Sequence, residues 1–103
     1  TVFVDVTADW CVTCKVNKAL VIDSDRVSAR LNAGNIIAMK ADWTRPDPVI
    51  TAFLQRFSRY GIPFDVVFGP KSPDGIVLPE LLTKNAVLGA LDKASDGRAV
   101  AGR

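Results

Sequence analysis

The chain has 103 residues, of which 49% are hydrophobic and 23% are charged. This length and composition are typical of one globular domain and exclude a disordered chain. The net charge of +2, with basic residues scattered along the sequence, argues against a nucleic-acid partner. No apolar stretch approaches the roughly 20 residues of a membrane-spanning helix, so none is predicted. Because the sequence opens at Thr1 inside a predicted strand, we expect a piece of a longer protein, with any leader or membrane segment outside it.

The first third of the chain predicts a strand followed by helices. Residues 1–6 are apolar on both faces except for Asp5, which is typical of a central strand covered on both sides. A helix is predicted from about Cys11, with one apolar face formed by Val12, Val16, Ala19 and Leu20. A short second helix follows, with Ser24 or Asp25 as its cap.

The rest of the chain alternates strands and helices. A second strand is predicted over 36–42, a third over 64–68, and a short antiparallel partner over 76–78. Between the second and third strands, Asp47 and Pro48 begin a helix whose apolar stripe reaches Tyr60 and which Gly61 ends. Thr83 caps a last helix.

These elements predict an α/β fold in the order β-α-β-α-β-β-α. Both β-α-β crossovers are expected to be parallel and right-handed, with an antiparallel hairpin at the edge. The result is a mixed central sheet with helices on both faces, covering residues 1–94. Residues 95–103 are predicted to form a flexible C-terminal tail.

Two cysteines, three residues apart, are the strongest chemical signal: Trp10-Cys11-Val12-Thr13-Cys14. Attachment of c-type haem requires a His after the second Cys, and structural zinc requires four ligands. The chain has no His and no other Cys. Thiol–disulfide exchange is therefore the favoured interpretation. Metal binding shared with a partner chain, a Cu(I) site on these two soft ligands, and inert thiols remain alternatives.

The position of the pair between a strand and a helix suggests a role for each sulfur. Cys11 is placed at the helix N-terminus, where unpaired amides and the helix dipole favour a thiolate. Cys14, one turn further, stays within reach to attack a mixed disulfide and release the partner. We predict that Cys11 is the nucleophile and Cys14 the resolving thiol.

Several segments resemble a known family. The stretch from Val4 to Lys15, together with the distant Gly61-Ile62-Pro63, resembles the thioredoxin superfamily. A likeness to the C-terminal periplasmic domain of DsbD-type thiol:disulfide interchange proteins is carried by Ala8-Asp9-Trp10-Cys11-Val12, Lys40-Ala41-Asp42-Trp43-Thr44 and Leu78-Pro79-Glu80-Leu81-Leu82. The resemblance covers roughly residues 1–94 and implies a thioredoxin-like fold.

The resemblance also implies roles for residues around the cysteines. Asp5 would lie beneath the site and assist proton transfer to and from the buried cysteine, unless it reaches solvent at the strand end. Pro63 would be a cis-proline opposite the cysteines, with the backbone of Ile62 pairing with an extended substrate; the alternative is an ordinary trans proline. Trp10 would cover the edge of the disulfide and shape partner contacts, or merely pack.

Two lysines are candidates for tuning the pKa of these groups. Lys40, by resemblance, would approach Asp5; the alternative is a solvated lysine. Lys18 stands where some family members carry an acid, and a cation there would lower the pKa of Cys11. The alternative is that Lys18 points into water.

The function implied by the resemblance is electron donation. The domain would accept electrons from a membrane-embedded domain of the same polypeptide in the bacterial inner membrane and pass them to periplasmic thioredoxin-like proteins. The lack of His between the cysteines favours this direction. Neither a metal nor an organic cofactor is implied beyond the redox-active disulfide Cys11–Cys14. A freestanding thioredoxin or a cytochrome-maturation reductant is the alternative enzyme.

Overall fold

Four strands and four helices make up the fold of residues 1–95. The computed structural model describes residues 1–95. The strands are β1 (Val2–Thr7), β2 (Ile37–Asp42), β3 (Phe64–Gly69) and β4 (Ser72–Val77). The helices are α1 (Val12–Asn17), α2 (Asp25–Leu31), α3 (Pro48–Arg56) and α4 (Lys84–Ala94). A π-helical turn, Lys18–Ile22, continues α1.

The strands form one mixed sheet in the order β2-β1-β3-β4, and the predicted α/β order is confirmed. β1 pairs in parallel with β2, as predicted. The expected parallel direction of β3 is wrong, since β3 is antiparallel to both β1 and β4. The pairing of Val6 with Phe64 shows the reason. The loop 57–63 after α3 returns the chain to the end of the sheet where β2 ends. β3 therefore starts at that end and runs antiparallel to β1.

The two faces of the sheet carry separate apolar cores, because successive strand side chains point to opposite faces. Phe3 and Val67 pack with residues of α2 and α4, among them Val27, Leu31, Val87 and Leu91. On the opposite face, Val6 and Val66 pack against α3 through Leu54, Ile50 and Phe53, and Trp43 joins the same core. Helices therefore cover both faces, as predicted.

The apolar face that the sequence indicates for the first helix is exposed. Val12 and Leu20 are 74% and 66% exposed. The buried positions are instead Cys14, Asn17 and Val21. The inward face is set by Asn17, whose side chain donates to the carbonyl of Glu80 and accepts from the amide of Leu82.

The predicted helix starts are correct at α3 and α4. The side chain of Asp47 accepts from the amides of Val49 and Ile50, and that of Thr83 accepts from Ala86. Ser24 is the N-cap residue of α2, but its hydroxyl donates to the carbonyl of Val21 rather than capping the helix.

Two predicted boundaries differ from the structure. α3 ends at Arg56 rather than near Tyr60, since Ser58 turns into the left-handed region with a φ of 59°. β4 begins at Ser72, four residues before the predicted start, because Ser72 already pairs with Gly69.

Two further expectations concern the C-terminal tail and membrane-spanning helices. Apart from Ser95, the predicted tail over 95–103 lies outside the described residues, and the domain boundary at residue 94 stays a prediction. Over residues 1–95, none of the helices has the length and apolar character needed to cross a membrane.

Candidate active site

The two cysteines form a disulfide where the chain passes from β1 into α1. Cys11 is the N-cap residue of α1, with extended backbone angles (φ −91°, ψ 104°), and its amide donates to the carbonyl of Ala8 at 3.1 Å. Cys14 lies in the first turn, so the two Cα atoms are 5.3 Å apart. The predicted placement of Cys11 at the helix start is confirmed.

A backbone amide at the start of α1 donates to the sulfur of Cys11. The amide of Cys14 donates to Sγ of Cys11 at 3.1 Å. Such a donor, together with the positive end of the helix dipole, stabilises a thiolate once the disulfide is reduced. The two cysteines are only 6% and 5% exposed and pack with Ala8 and Ile62. The two cysteines are thus packed among apolar side chains.

The segment Ile62–Pro63 lies beside the disulfide. Its peptide bond is cis, as the resemblance predicts. Ile62 packs against the cluster of Ala8, Cys11 and Cys14, and Pro63 is buried. This juxtaposition depends on the antiparallel direction of β3, because that direction places the start of β3 next to the carboxyl end of β1.

Trp10 stands at the exposed edge of the site, with 60% of its surface exposed. Its indole Nε1 donates to the backbone carbonyl of Thr44 at 3.1 Å. The Thr44 hydroxyl accepts from the amide of Asp9 and donates to Asp42. Thr44 is a positioning residue that the sequence reasoning missed. The signal for it was Asp42, two residues earlier, since an Asp that accepts from the amide two residues on is typical of a tight turn.

A pocket of about 280 Å³ opens beneath the second sulfur, and Asp5, Cys14, Lys18 and Lys40 all line it. Asp5 is partly buried, and it lies in register with Lys40 on the neighbouring parallel strand. The structure therefore brings together the predicted acid, both predicted lysines and Cys14.

Lys18 lines the same pocket, but its amine has another partner. Nζ donates to the carboxylate of Asp23 at 2.6 Å, and both side chains are largely exposed. A neighbouring carboxylate and solvent weaken the field of this cation at the sulfurs.

A second acid beneath the site was not among the sequence candidates. Asp65 of β3 is 1% exposed and pairs across the sheet with Asp5. Desolvation by burial, reinforced by the neighbouring carboxyl group of Asp5, raises the pKa of Asp65 to about 9. This acid is therefore neutral at physiological pH.

The described part of the chain gathers no group of three or more His, Cys, Asp or Glu side chains in a position to hold a metal ion. The donors at this site that suit a soft metal are the two sulfurs, and in this structure they are bonded to each other.

Fold and site together define a class: α/β proteins that carry a CxxC disulfide at the end of a central strand, beside a cis-proline. The sequence model of the family described as Thioredoxin-like matches residues 1–70, which is more than half of the chain. The chain belongs to the thioredoxin-like family.

Curated relatives confirm the resemblance to DsbD-type proteins. The thiol:disulfide interchange protein DsbD of Ralstonia nicotianae is 35% identical over 79 residues, which are 74% of this chain and 13% of that protein. The thiol:disulfide interchange protein DsbD 1 of Pseudomonas aeruginosa is 35% identical over 69 residues, or 67% of this chain and 11% of that protein. The chain thus spans a small part of the length of these relatives.

Solved structures confirm the predicted thioredoxin-like fold. The oxidised C-terminal domain of DsbD from Neisseria meningitidis matches with a TM-score of 0.69 and 22% identity, covering 90% of this chain and 78% of that one. A thioredoxin from Thermus thermophilus matches with a TM-score of 0.61 and 20% identity, covering 98% of this chain and 73% of that one.

Proposed function

We propose that this chain is a thiol–disulfide oxidoreductase domain that reduces protein disulfides through Cys11 and Cys14. The observation that carries the proposal is the disulfide at the start of α1, with the first sulfur receiving the amide of Cys14. The similarity to thiol:disulfide interchange proteins supports it. The reaction needs no metal or organic cofactor, because the electrons are carried by the two sulfurs.

In this proposal the Cys11 thiolate attacks one sulfur of a substrate disulfide and forms a mixed disulfide. Cys14 then gives up its proton and attacks Sγ of Cys11, which closes the Cys11–Cys14 bond and releases the substrate as a dithiol. Two electrons pass from the domain to the substrate. Both steps take place beside Ala8 and Ile62, which pack against the two cysteines. A partner must bring its sulfur close to Cys11 there.

The surrounding residues have proposed roles. Asp5 moves a proton to and from Cys14, since both line one pocket. Trp10 and the segment Ile62–Pro63 form the surface on which a partner chain lies, because Trp10 is exposed beside the disulfide and Ile62 contacts it.

The two lysines tune the neighbouring pKa values in this proposal. Lys40 is placed beside Asp5, with which it is in register, and is the proposed partner of its carboxyl group. Lys18, which lines the pocket, favours the thiolate form of Cys11 through its positive charge. Its ion pair with Asp23 weakens this effect.

The similarity to thiol:disulfide interchange proteins supports a proposal for the electron source and the partners. We propose that the chain is a periplasmic domain of a bacterial inner-membrane protein and that a membrane-embedded domain of the same polypeptide reduces it. Its substrates would be disulfides of periplasmic thioredoxin-like proteins. Nucleic acid is not a proposed partner.

Trapping of a covalent intermediate tests the assignment of the two sulfurs. Reduced Cys14→Ser domain, mixed with a disulfide protein such as insulin, is expected to accumulate a mixed disulfide, because no resolving thiol remains. Cys11→Ser is the matched control and is expected to form none. Non-reducing electrophoresis with and without dithiothreitol measures the complex. Trapping by Cys11→Ser but not by Cys14→Ser would reverse the assigned roles.

Two further measurements separate this function from its rivals. Wild-type domain is expected to reduce insulin catalytically with dithiothreitol as the electron source. Tight Cu(I) binding without disulfide reduction would instead indicate a copper-binding module. Equilibration with a glutathione buffer gives the reduction potential, and a strongly oxidising value would contradict electron donation.

A further inference from the structure

The acid on β3 is an unusual group for a protein core. Asp65 is 1% exposed, and within residues 1–95 neither of its carboxyl oxygens has a close hydrogen-bond partner. An ionised carboxylate in such surroundings is costly, so burial favours the neutral acid. A residue of this kind in a small core calls for an explanation beyond packing.

The neighbour of Asp65 across the sheet is a second carboxyl group. Asp5 and Asp65 are directly opposite each other in the antiparallel pair β1–β3. Opposite residues point to the same face, with Cβ atoms about 4.5–5.5 Å apart. A negative charge on Asp5 so close by raises the proton affinity of Asp65.

The surroundings of the pair are asymmetric. Asp5 lies in register with Lys40, and its pocket is lined by Lys15 of α1, Lys18 of the π-helical turn and two further acids, Asp9 and Asp42. On the face that carries Asp65, the core residues contributed by α2, α4 and the segment before α4 are apolar: Val27, Leu31, Leu78, Leu82, Val87 and Leu91. Charged groups of both signs therefore line the pocket beside Asp5, whereas the buried core on the same face, next to Asp65, is apolar.

We propose that Asp5 and Asp65 act as a proton-sharing carboxyl pair, in which Asp65 holds a proton at neutral pH and Asp5 exchanges protons with Cys14. This inference rests on the proposed function, in which Cys14 is the resolving thiol. In the resolving step the Cys14 proton passes to Asp5, and the Cys14 sulfur bonds to Sγ of Cys11. The bond between Cys11 and the substrate breaks, and the substrate sulfur leaves as a thiolate that then takes a proton from solvent. Asp65 is a positioning residue, because it acts through Asp5.

Infrared spectroscopy of the oxidised domain tests the pair without any partner protein. At neutral pH we expect a protonated-carboxyl band that is absent from Asp65→Asn. The band should persist in Asp74→Asn, an exposed aspartate of β4 that serves as the matched control. In Asp5→Asn the band should persist at a shifted frequency. Absence of the band from the wild-type domain would overturn the proposal, whether or not the variants fold.

Coupling to the sulfurs is tested by reducing the domain with dithiothreitol. We expect the band to shift between the oxidised and reduced states. We also expect the rate of exchange with a small aromatic disulfide to show an inflection near pH 9 that Asp65→Asn removes. An unshifted band together with an unchanged pH profile in Asp65→Asn would show a buried acid without a role in exchange. Trapping by Cys14→Ser would still support the proposed function in that case, so the two failures are distinguishable.

Discussion

Thr44 joins two loops that are far apart in sequence and adjacent at the active site. Its hydroxyl and its carbonyl each accept a hydrogen bond, from the amide of Asp9 and from the indole of Trp10 respectively. Asp42 in turn accepts from both the amide and the hydroxyl of Thr44, and these bonds lower the pKa of Asp42. The orientation of the exposed Trp10 therefore depends on a residue that does not touch sulfur.

Removing the Thr44 hydroxyl is expected to impair reactions with protein disulfides selectively. Thr44→Val loses the hydrogen bonds to Asp9 and Asp42, each of which contributes about 0.5–1.5 kcal/mol. The rate with a protein disulfide is expected to fall about two- to tenfold, since 1.4 kcal/mol is about tenfold. The rate with a small aromatic disulfide, which needs no partner surface, should be unchanged. Stopped-flow measurement of both rates checks this prediction.

The matched control for this change is Thr51→Val. The Thr51 hydroxyl accepts from the indole of Trp43, whereas the indole of Trp10 donates to Thr44. An equal loss of rate in both variants, or an equal loss with both substrates, would show that Thr44 only stabilises the fold.

Among the elements, α1 is fixed to the rest of the fold by a buried amide. Asn17 is 2% exposed, and its side chain binds Glu80 O at 2.7 Å and Leu82 N at 3.0 Å. A buried side chain that satisfies two backbone groups fixes the rotation of its helix, because any other rotation leaves those groups unpaired. The exposed apolar stripe of Val12, Val16 and Leu20 is the consequence of that rotation.

Substitution of this amide by an apolar residue of similar size is expected to destabilise the protein. Asn17→Leu leaves the buried amide of Leu82 and the part-buried carbonyl of Glu80 without their side-chain partner, and an unsatisfied buried group costs about 1–3 kcal/mol. We expect the free energy of unfolding, measured by urea denaturation, to fall by about 2–4 kcal/mol. Asn85→Leu, at an exposed position of α4, should change it by less than about 0.5 kcal/mol. Equal effects in the two variants would contradict the anchoring role of Asn17.

Local signals predicted most of the elements, because they depend on neighbouring residues. The Asp47-Pro48 start of α3 and the Thr83 cap of α4 are examples. The rotation of α1 was not predictable in this way, since Asn17 finds its partners more than 60 residues further along the chain.

The same reasoning applies to the site. The CxxC pair and its place at a helix start were readable from sequence, because strand, loop and helix follow one another directly. Asp65 was read only as part of a strand. Its importance depends on lying opposite Asp5, and the expected parallel direction of β3 predicted no such register.

The stability of the whole molecule is expected to depend on pH through Asp65. Its pKa is raised from 3.8 to about 9, so between these values the folded state binds a proton that the unfolded state releases. Stability is therefore highest at low pH within this window and falls as pH rises, by at most about 1.4 kcal/mol per unit. Urea denaturation of the oxidised domain between pH 5 and pH 9 measures this slope.

Asp65→Asn should flatten the slope and make the protein more stable than wild type at the alkaline end. Asp42 acts outside the window, because its lowered pKa contributes stability that is lost only as pH falls below 3.8. A wild-type slope that survives in Asp65→Asn would assign the pH dependence to other groups.

The two ends of the sheet differ in what they carry. Cys11 and Phe64 mark one end, whereas Val2 pairs with Phe68 at the other, about 20 Å away for a six-residue strand. Gly69, at that second end, lies so close to the carbonyl of Ala94 that an added Cβ would be 2.3 Å from its oxygen. Thr1, whose carbonyl accepts from the amide of Ile37, and Ala94 therefore both lie at this second end, opposite the sulfurs. A tether joined to the fold at this second end would leave the disulfide facing away from the attachment point.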